Sequence, residues 1–165
     1  MSVDSCLFRA LHRGAGRWRL LDAPSLTCAR YGSAVAVLLM LLAGLRHGAA
    51  GRRAVGRCLM AVAALYVLAE TIGRRSGRPR PFAAQPGVRA LLPHGPGRSF
   101  PSRHVASAVA MAVIIQPAAR RTARTMALLA AALGLSRIRA GLHYPSDVAA
   151  GALLGYVVGR ALRSG

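Results

Sequence analysis

Apolar residues along the chain are gathered into five blocks and are not spread at the spacing of an amphipathic soluble helix. The blocks run at about 27–45, 57–73, 104–117, 122–136 and 145–162. Each is close to the shortest length that crosses roughly 30 Å of hydrocarbon, so flanking residues are needed to complete a span. Small residues recur in all five, which is typical of helices that pack closely in a bilayer. The pattern predicts an all-α fold, a multi-pass transmembrane helical bundle of about five spans.

The first 26 residues differ from these blocks, because apolar and basic residues alternate irregularly in them. The apolar positions are Leu7, Leu11, Trp18, Leu20 and Leu21, and four arginines lie among them. This pattern predicts an interfacial helix. We therefore divide the chain into an amphipathic N-terminal segment, 1–26, and a membrane domain, 27–165. The N-terminal segment has no uninterrupted apolar stretch with a small-residue cleavage site after it, which argues against a removable signal peptide.

The charge of the chain is strongly unbalanced. There are 23 arginines, no lysine and four acidic residues, which gives a formal net charge of +19. Such a chain attracts polyanions, including nucleic acids. The arginines form short clusters between apolar blocks and not one continuous basic face, which favours lipid phosphate headgroups and membrane lipids as partners over nucleic acid. The three cysteines are widely spaced and lack a CxxC pair, so we expect free thiols.

The connections after the first and third blocks are short and basic, which suits the cytoplasmic side of the cell membrane. The segment 74–103 is different, since it holds six of the nine prolines and seven arginines. A long loop without helical pattern is commonly functional or disordered. We expect this loop and the turn at 137–143 to lie together on the extracytoplasmic face. A bare arginine count favours the opposite orientation, but the excess lies in segments that have another use for arginine.

Three motifs fall at this predicted face: GRRSGRPRP at 73–81, FPSRH at 100–104 and SRIRAGLHYPSD at 136–147. Phosphoryl transfer needs positive charge around the phosphate oxygens, an in-line nucleophile and an acid for the leaving oxygen. Arg80 and Arg137 offer planar forks that can bind phosphate oxygens in a bidentate way. Ser102 is expected to cap the helix that follows it, and the free backbone N–H groups of that helix start form an anion site.

Two histidines are the candidates for the chemistry. His143 and Asp147 are four residues apart, with Pro145 at a predicted first helical position. A carboxylate that accepts from one imidazole nitrogen fixes the tautomer and leaves the other nitrogen free to attack phosphorus, so His143 is the better candidate nucleophile. His104 has no adjacent acidic partner and lies beside the predicted anion site, where it can stay protonated and act as a general acid.

Each of these features alone has a simpler interpretation. His143 and Asp147 can be a helix-capping pair, Ser102 can be only an N-cap, and the arginines of the first motif can be membrane-surface anchors. These interpretations do not explain why all the groups fall at one face. A metal site built from His104, His143 and Asp147 is disfavoured, because the surrounding positive charge repels a cation.

On these residues the chain resembles the type 2 phosphatidic acid phosphatase superfamily, whose signature is KxxxxxxRP, PSGH and SRxxxxxHxxxD. The matching positions are Arg80 and Pro81, then Pro101, Ser102 and His104, then Ser136, Arg137, His143 and Asp147. The resemblance implies a helical bundle, no metal or other cofactor, His143 as a nucleophile that forms a phosphohistidine, and His104 as the acid. The stretch LLPHGPGRSFPSRH is similar to small bacterial undecaprenyl-diphosphate phosphatases, which implies a polyprenyl diphosphate substrate.

The sequence departs from this signature at two positions. Gly73 occupies the place of the lysine, and Arg103 replaces the glycine of PSGH. The charge expected at Gly73 must come from Arg74 or from Arg103, or is missing, so both arginines join the predicted phosphate-binding residues.

Several functions stay open at this point. A phosphatidate or phosphatidylglycerophosphate phosphatase would use the same chemistry on another lipid. A catalytically impaired lipid-phosphate-binding membrane protein is a candidate of another class, supported by the missing lysine. A vanadium-dependent haloperoxidase has the same motifs by resemblance, but the membrane-spanning composition argues against it. Oligomeric state is not predicted.

Overall fold

The computed structural model describes residues 2–17 and 19–163, and within these ranges the chain forms seven helices and no strand. The helices are α1 (Val3–His12), α2 (Arg19–Arg46), α3 (Gly48–Ser76), α4 (Pro81–Ala84), α5 (Arg103–Ile115), α6 (Arg120–Arg139) and α7 (Pro145–Arg163). The predicted all-α fold is confirmed.

The long helices run alternately up and down, so their connections collect at two ends. At one end, Arg163 donates to Gln116 Oε1 at 2.6 Å and Arg57 donates to the carbonyl oxygen of Arg163 at 3.2 Å. The opposite end holds α1, the segment 77–102 and the turn 140–144. There an ion pair joins Arg139 Nε to Asp22 Oδ1 at 2.9 Å. All three sequence motifs lie at this second end.

The N-terminal segment divides differently from the prediction. Helix α1 ends at His12, and α2 already begins at Arg19, inside the segment expected to be interfacial. The sequence hid this extension because Asp22 and Pro24 interrupt the apolar pattern. Asp22 lies in the first turn of α2, where a carboxylate is favoured by the helix dipole. Trp18, which the prediction also used, lies outside the described residues.

Helix α1 packs against the bundle with one face only. Phe8 is fully buried and contacts the ring of Tyr144 edge-on at a centroid distance of 5.5 Å. Val3, Leu7 and Leu11 follow one another at four-residue spacing and are exposed. The helix therefore has a bundle-facing side and an outward apolar side.

Two helical stretches, Asp22–Arg46 and Gly48–Ser76, are long and apolar enough to cross a membrane. Helix α5 is apolar but has only 13 residues, or about 20 Å of length. Large apolar side chains are exposed on α2, α3, α6 and α7; examples are Leu38, Val67, Leu128, Leu153 and Tyr156. Outward-facing leucines on long helices favour a lipid environment. Helix length supports two of the five predicted spans, and the count of five stays a prediction.

Helices α5 and α7 pack so closely that their backbones touch. A Cβ atom at Gly155 would lie 2.2 Å from the carbonyl oxygen of Ala106, and one at Gly151 would lie 2.5 Å from that of Ser102. Gly159 continues the same face one turn later. The backbone N–H of Ser102 also donates to the carbonyl oxygen of Asp147 at 3.0 Å. This packing holds the N-terminal ends of the two helices side by side.

We expect Gly155→Ala to destabilise the protein, because the added methyl group has no space against α5. Forcing an extra carbon into a packed interior typically costs about 1–3 kcal/mol. Gly56→Ala in α3 is the matched control, since a Cβ there meets nothing within 4 Å and alanine is the better helix former by about 1 kcal/mol. Thermal unfolding of the detergent-purified variants measures the difference. Equal midpoints for the two variants would contradict this packing.

Candidate active site

The predicted phosphate-binding and catalytic residues meet at the end of the bundle that carries α1. Arg80, Arg137 and His143 are 6%, 5% and 3% exposed. Arg80 Nη1 lies 3.3 Å from His143 Nε2, and Arg137 Nη2 lies 2.9 Å from His104 Nδ1. Ser102 is fully buried beside them, directly before α5. Four separate segments of the chain thus contribute to one buried cluster.

The tautomer of His143 follows from its partners. Nδ1 lies 2.8 Å from the carbonyl oxygen of Ser99. A carbonyl oxygen can only accept, so Nδ1 carries the proton and Nε2 keeps a lone pair. Ser99 is held there by pairing between the segments around residues 78 and 99, in which its N–H donates to the carbonyl oxygen of Arg78 at 2.9 Å. Nε2 therefore keeps the lone pair that a nucleophile needs, and it accepts a hydrogen bond from Arg80 Nη1 at 3.3 Å.

Asp147 does not make the contact with the His143 ring that the sequence suggested. Its Oδ2 lies 3.8 Å from His143 Nδ1, which is too far for a hydrogen bond. Oδ2 instead accepts from the backbone N–H of Tyr144 at 2.7 Å, and Oδ1 accepts from Arg78 Nη1 at 2.8 Å. An acidic residue that reaches back from the third helical position caps the start of a helix. Asp147 therefore fixes the turn that carries His143.

His104 differs from the prediction in its protonation. A guanidinium group only donates hydrogen bonds, so the Nδ1 atom that faces Arg137 must be an acceptor. The ring is then neutral and carries its proton on Nε2. The sequence predicted a protonated His104 ring, because residue spacing alone does not show that Arg137 lies directly against this ring.

Three buried donors in this cluster have no partner. Within the described ranges, the buried side-chain nitrogen and oxygen atoms without a hydrogen bond are Arg80 Nε, Arg137 Nε, Ser102 Oγ and Ser33 Oγ. Ser102 occupies the N-cap position of α5, but its hydroxyl makes no capping bond, contrary to the expectation. Buried donors without acceptors are costly. Donors of this kind call for a ligand with several acceptor oxygens, such as a phosphate.

The electrostatics of the cluster keep His143 neutral. Burial lowers the pKa of His143 well below its ordinary value, and the nearby charge of Arg80 lowers it further. Burial also lowers the pKa of Arg80, and the nearby charge of Arg103 lowers it further. A neutral imidazole keeps its Nε2 lone pair, which can serve as a nucleophile once the donor from Arg80 moves to another oxygen.

The two arginines proposed to replace the missing lysine lie in different places. Arg74 is on the outer face of α3, with 71% of its side chain exposed, and pairs with Glu70 at 3.0 Å. It is not brought into the buried cluster. Arg103 stacks over the ring of Tyr66 at 4.9 Å and reaches the cavities next to His104.

Arg78 is a site residue that sequence reasoning took only for a membrane anchor. It donates to Asp147, forms an ion pair with Asp4 of α1, and lies over the ring of Tyr144 at 4.1 Å. Asp4 in turn accepts from the backbone N–H of Ser146 at 3.0 Å. The only sign in the sequence that Arg78 belongs to the site is its position two residues before Arg80. Nothing in the sequence links Arg78 to Asp4.

An apolar cavity of about 350 Å³ meets the cluster at His104 and lies between α2, α3 and α5. Arg103 and His104 line one part of it, and the rest is lined by Ser33, Val37, Val62, Tyr66, Ser107, Ala108 and Met111.

Among residues 2–17 and 19–163, no three His, Cys, Asp or Glu side chains form a group suited to a metal ion. The three cysteines are unpaired, as predicted.

Several known proteins have sequences or folds similar to this chain. The bacitracin transport permease protein BcrC of Bacillus licheniformis is 42% identical over 94 residues, which cover 54% of this chain and 46% of that protein. The undecaprenyl-diphosphatase BcrC of Bacillus subtilis (strain 168) is 28% identical over 153 residues, 93% of this chain and 79% of that protein. The chain spans about half the length of the first of these relatives.

The crystal structure of Aquifex aeolicus LpxE superimposes with a TM-score of 0.83 at 28% identity, covering 100% of this chain and 97% of that one. Two helices long and apolar enough to cross a membrane, together with large apolar side chains exposed on four helices, indicate a membrane protein. The sequence model of the PAP2 superfamily matches residues 54–164. Since this match covers well over half of the sequence and includes all three motifs, the chain belongs to the PAP2 superfamily.

Proposed function

We propose that the chain is a membrane lipid phosphatase that hydrolyses a polyprenyl diphosphate, such as undecaprenyl diphosphate, through a phosphohistidine intermediate. One observation carries the proposal: Arg80 Nε, Arg137 Nε and Ser102 Oγ are buried donors without acceptors, next to a neutral histidine whose Nε2 has no proton and accepts from Arg80. The similar protein from Bacillus subtilis is named undecaprenyl-diphosphatase, which supports the choice of substrate.

The geometry supports a two-step reaction. His143 Nε2 attacks the terminal phosphorus in line, a bond forms between nitrogen and phosphorus, and the bond from phosphorus to the bridging oxygen breaks. Arg80, Arg137 and Ser102 stabilise the charge on the phosphoryl oxygens. Water then attacks the phosphohistidine, which releases inorganic phosphate and restores His143.

His104 becomes an acid only when substrate is bound. In the free protein Arg137 donates to its Nδ1, so the ring is neutral. A bound phosphate adds negative charge and gives Arg137 another acceptor, which allows Nδ1 to take up a proton. The resulting imidazolium donates from Nε2 to the leaving oxygen, and the neutral ring then accepts a proton from the attacking water.

The apolar cavity supports a lipid substrate. Its walls are contributed by α2, α3 and α5, and it meets the buried cluster at His104 and Arg103. An isoprenoid chain in this cavity would place its phosphate end against the histidines. The positive charge of the cluster disfavours a cation at the same place, so the reaction is proposed to need no metal.

The arrangement of the helices supports the proposed topology. In that topology α2, α3, α5, α6 and α7 cross the cell membrane, α1 lies in the interface, and the active site faces the extracytoplasmic side. The short α5 then starts below the membrane surface, and the segment 77–102 covers its start. A phosphatidate or phosphatidylglycerophosphate would fit the same cluster with a different tail.

Phosphate release from a panel of lipid phosphates in detergent tests the function. We expect the intact protein to hydrolyse polyprenyl diphosphate in the presence of a chelator. His143→Ala should abolish turnover, because no nucleophile remains, and His104→Ala should lower it by about 10²–10⁴-fold. Arg74→Ala, an exposed arginine outside the cluster, is the control and should retain activity. Dependence on an added divalent metal, or turnover by His143→Ala, would overturn the mechanism, and a protein that only binds lipid phosphate would release none.

The protonation of His143 is a separate test. Because burial and Arg80 lower its pKa well below 6.5, we expect its ring to stay neutral when the pH falls from about 8 to about 6. The unfolded chain takes up this proton and the native protein does not, so the free energy of unfolding should decrease as pH falls below 6.5. Histidine NMR signals, assigned with His143→Ala, measure the titration. A midpoint near the ordinary value would show that the ring is not shielded.

A further inference from the structure

The position of the missing lysine is filled from outside α3. A Cβ atom at Gly73 would lie 3.0 Å from the carbonyl oxygen of Phe100 and 3.7 Å from Arg98 Cδ. The segment 98–100 therefore crosses α3 directly at Gly73, and the stem of Arg98 covers the place where a lysine side chain would begin.

Arg98 lines a polar cavity of about 340 Å³ that adjoins the buried cluster. The charged and titratable side chains of its wall are Arg80, Arg98, Arg103, His94 and Glu70. Three guanidinium groups face one carboxylate, so the cavity favours an anion. Glu70 Oε1 accepts from Arg98 Nη1 at 3.0 Å and from Arg74 Nε at 3.0 Å. An anion that takes over Arg98 leaves Glu70 paired with Arg74, so the carboxylate keeps a partner.

Two arginines connect this cavity to the rest of the site. Arg80 belongs to it and also contacts His143, and its buried Nε has no acceptor. Arg103 belongs to it and also to the apolar cavity that would hold a lipid tail. A group bound between these two arginines lies between the phosphoryl group under attack and the lipid.

We propose that this cavity binds the second phosphate of a diphosphate substrate, the one that stays on the lipid, and that Arg98 is its specificity-determining residue. This inference rests on the proposed function. It adds that the site selects its substrate by the second phosphate. A diphosphate has a phosphate at this position, whereas a monophosphate ester has only a carbon chain there.

The chemistry of the first step explains why the second phosphate needs cations. As the bond between the terminal phosphorus and the bridging oxygen breaks, the electron pair moves to the bridging oxygen. That oxygen receives the proton from His104 and remains on the lipid monophosphate. Arg98 and Arg103 stabilise the charge that the departing phosphate gains. With a monoester the leaving group is an alcohol, which has no non-bridging phosphate oxygens for Arg98 to bind.

Ligand binding to the detergent-purified full chain tests the cavity independently of turnover. Calorimetric titration would compare methylenediphosphonate, a diphosphate that cannot be hydrolysed, with orthophosphate. We expect Arg98→Ala to weaken binding of the diphosphonate by about tenfold or more and of orthophosphate by less than about twofold. Arg75→Ala is the matched control, because it removes an exposed arginine of the same region that neither pairs with Glu70 nor lines the cavity. Arg98→Lys should recover part of the lost affinity.

Equal weakening of both ligands by Arg98→Ala, or equal effects of Arg98→Ala and Arg75→Ala, would overturn the proposal. Retained orthophosphate binding shows that the variant is folded. In kinetic measurements, Arg98→Ala should lower kcat/KM for a polyprenyl diphosphate more than for the monophosphate with the same tail. If the intact protein releases phosphate from none of the lipids, the proposed function is wrong. The diphosphonate titration would still show whether the cavity binds a second phosphate.

Discussion

The contact between the backbones of α5 and α7 is the constraint on which the site depends. Gly151 and Gly155 allow it, since a side chain at either position would overlap a carbonyl oxygen of α5. The contact holds the start of α5, with Ser102 and His104, against the start of α7, which Asp147 caps. The acid and the nucleophile of the proposed reaction are thereby fixed relative to each other by main-chain packing and not by flexible side chains.

The second organising feature is concentrated, buried positive charge. Arg80 Nη1 donates to the carbonyl oxygen of Leu142 at 2.9 Å, and Arg137 Nη1 donates to that of Ala29 at 3.3 Å. Carbonyl oxygens satisfy part of each guanidinium group without neutralising it, so the charge stays available for a ligand. The same two groups disfavour a proton on His143, whose pKa is lowered first by its burial and then by Arg80 and Arg137. One arrangement therefore both attracts an oxyanion and keeps the nucleophile reactive.

Residue type and spacing predicted the helical fold and the set Arg80, Ser102, His104, Arg137 and His143, which the structure brings together. They missed contacts that have no local signature. The partner of His143 is a backbone carbonyl group, which any residue at position 99 would supply. Arg98 reaches the place of the missing lysine only because a distant segment crosses α3 at Gly73. Spacing suggested that the Asp147 carboxylate contacts the His143 ring. The start of a helix needs an acceptor as well, and the carboxylate serves as that cap instead.

Helix α1 joins the surroundings of the protein to its reactive centre. Its outward stripe of Val3, Leu7 and Leu11 is available to lipid, while Phe8 presses on Tyr144, the residue that follows the nucleophile. The turn that carries His143 therefore rests partly on α1, which lies at the level of the lipid headgroups in the proposed topology. In that topology, changes in lateral pressure or curvature of the bilayer that tilt this short helix would be transmitted to the orientation of the imidazole, so the rate of the proposed reaction would depend on the physical state of the membrane.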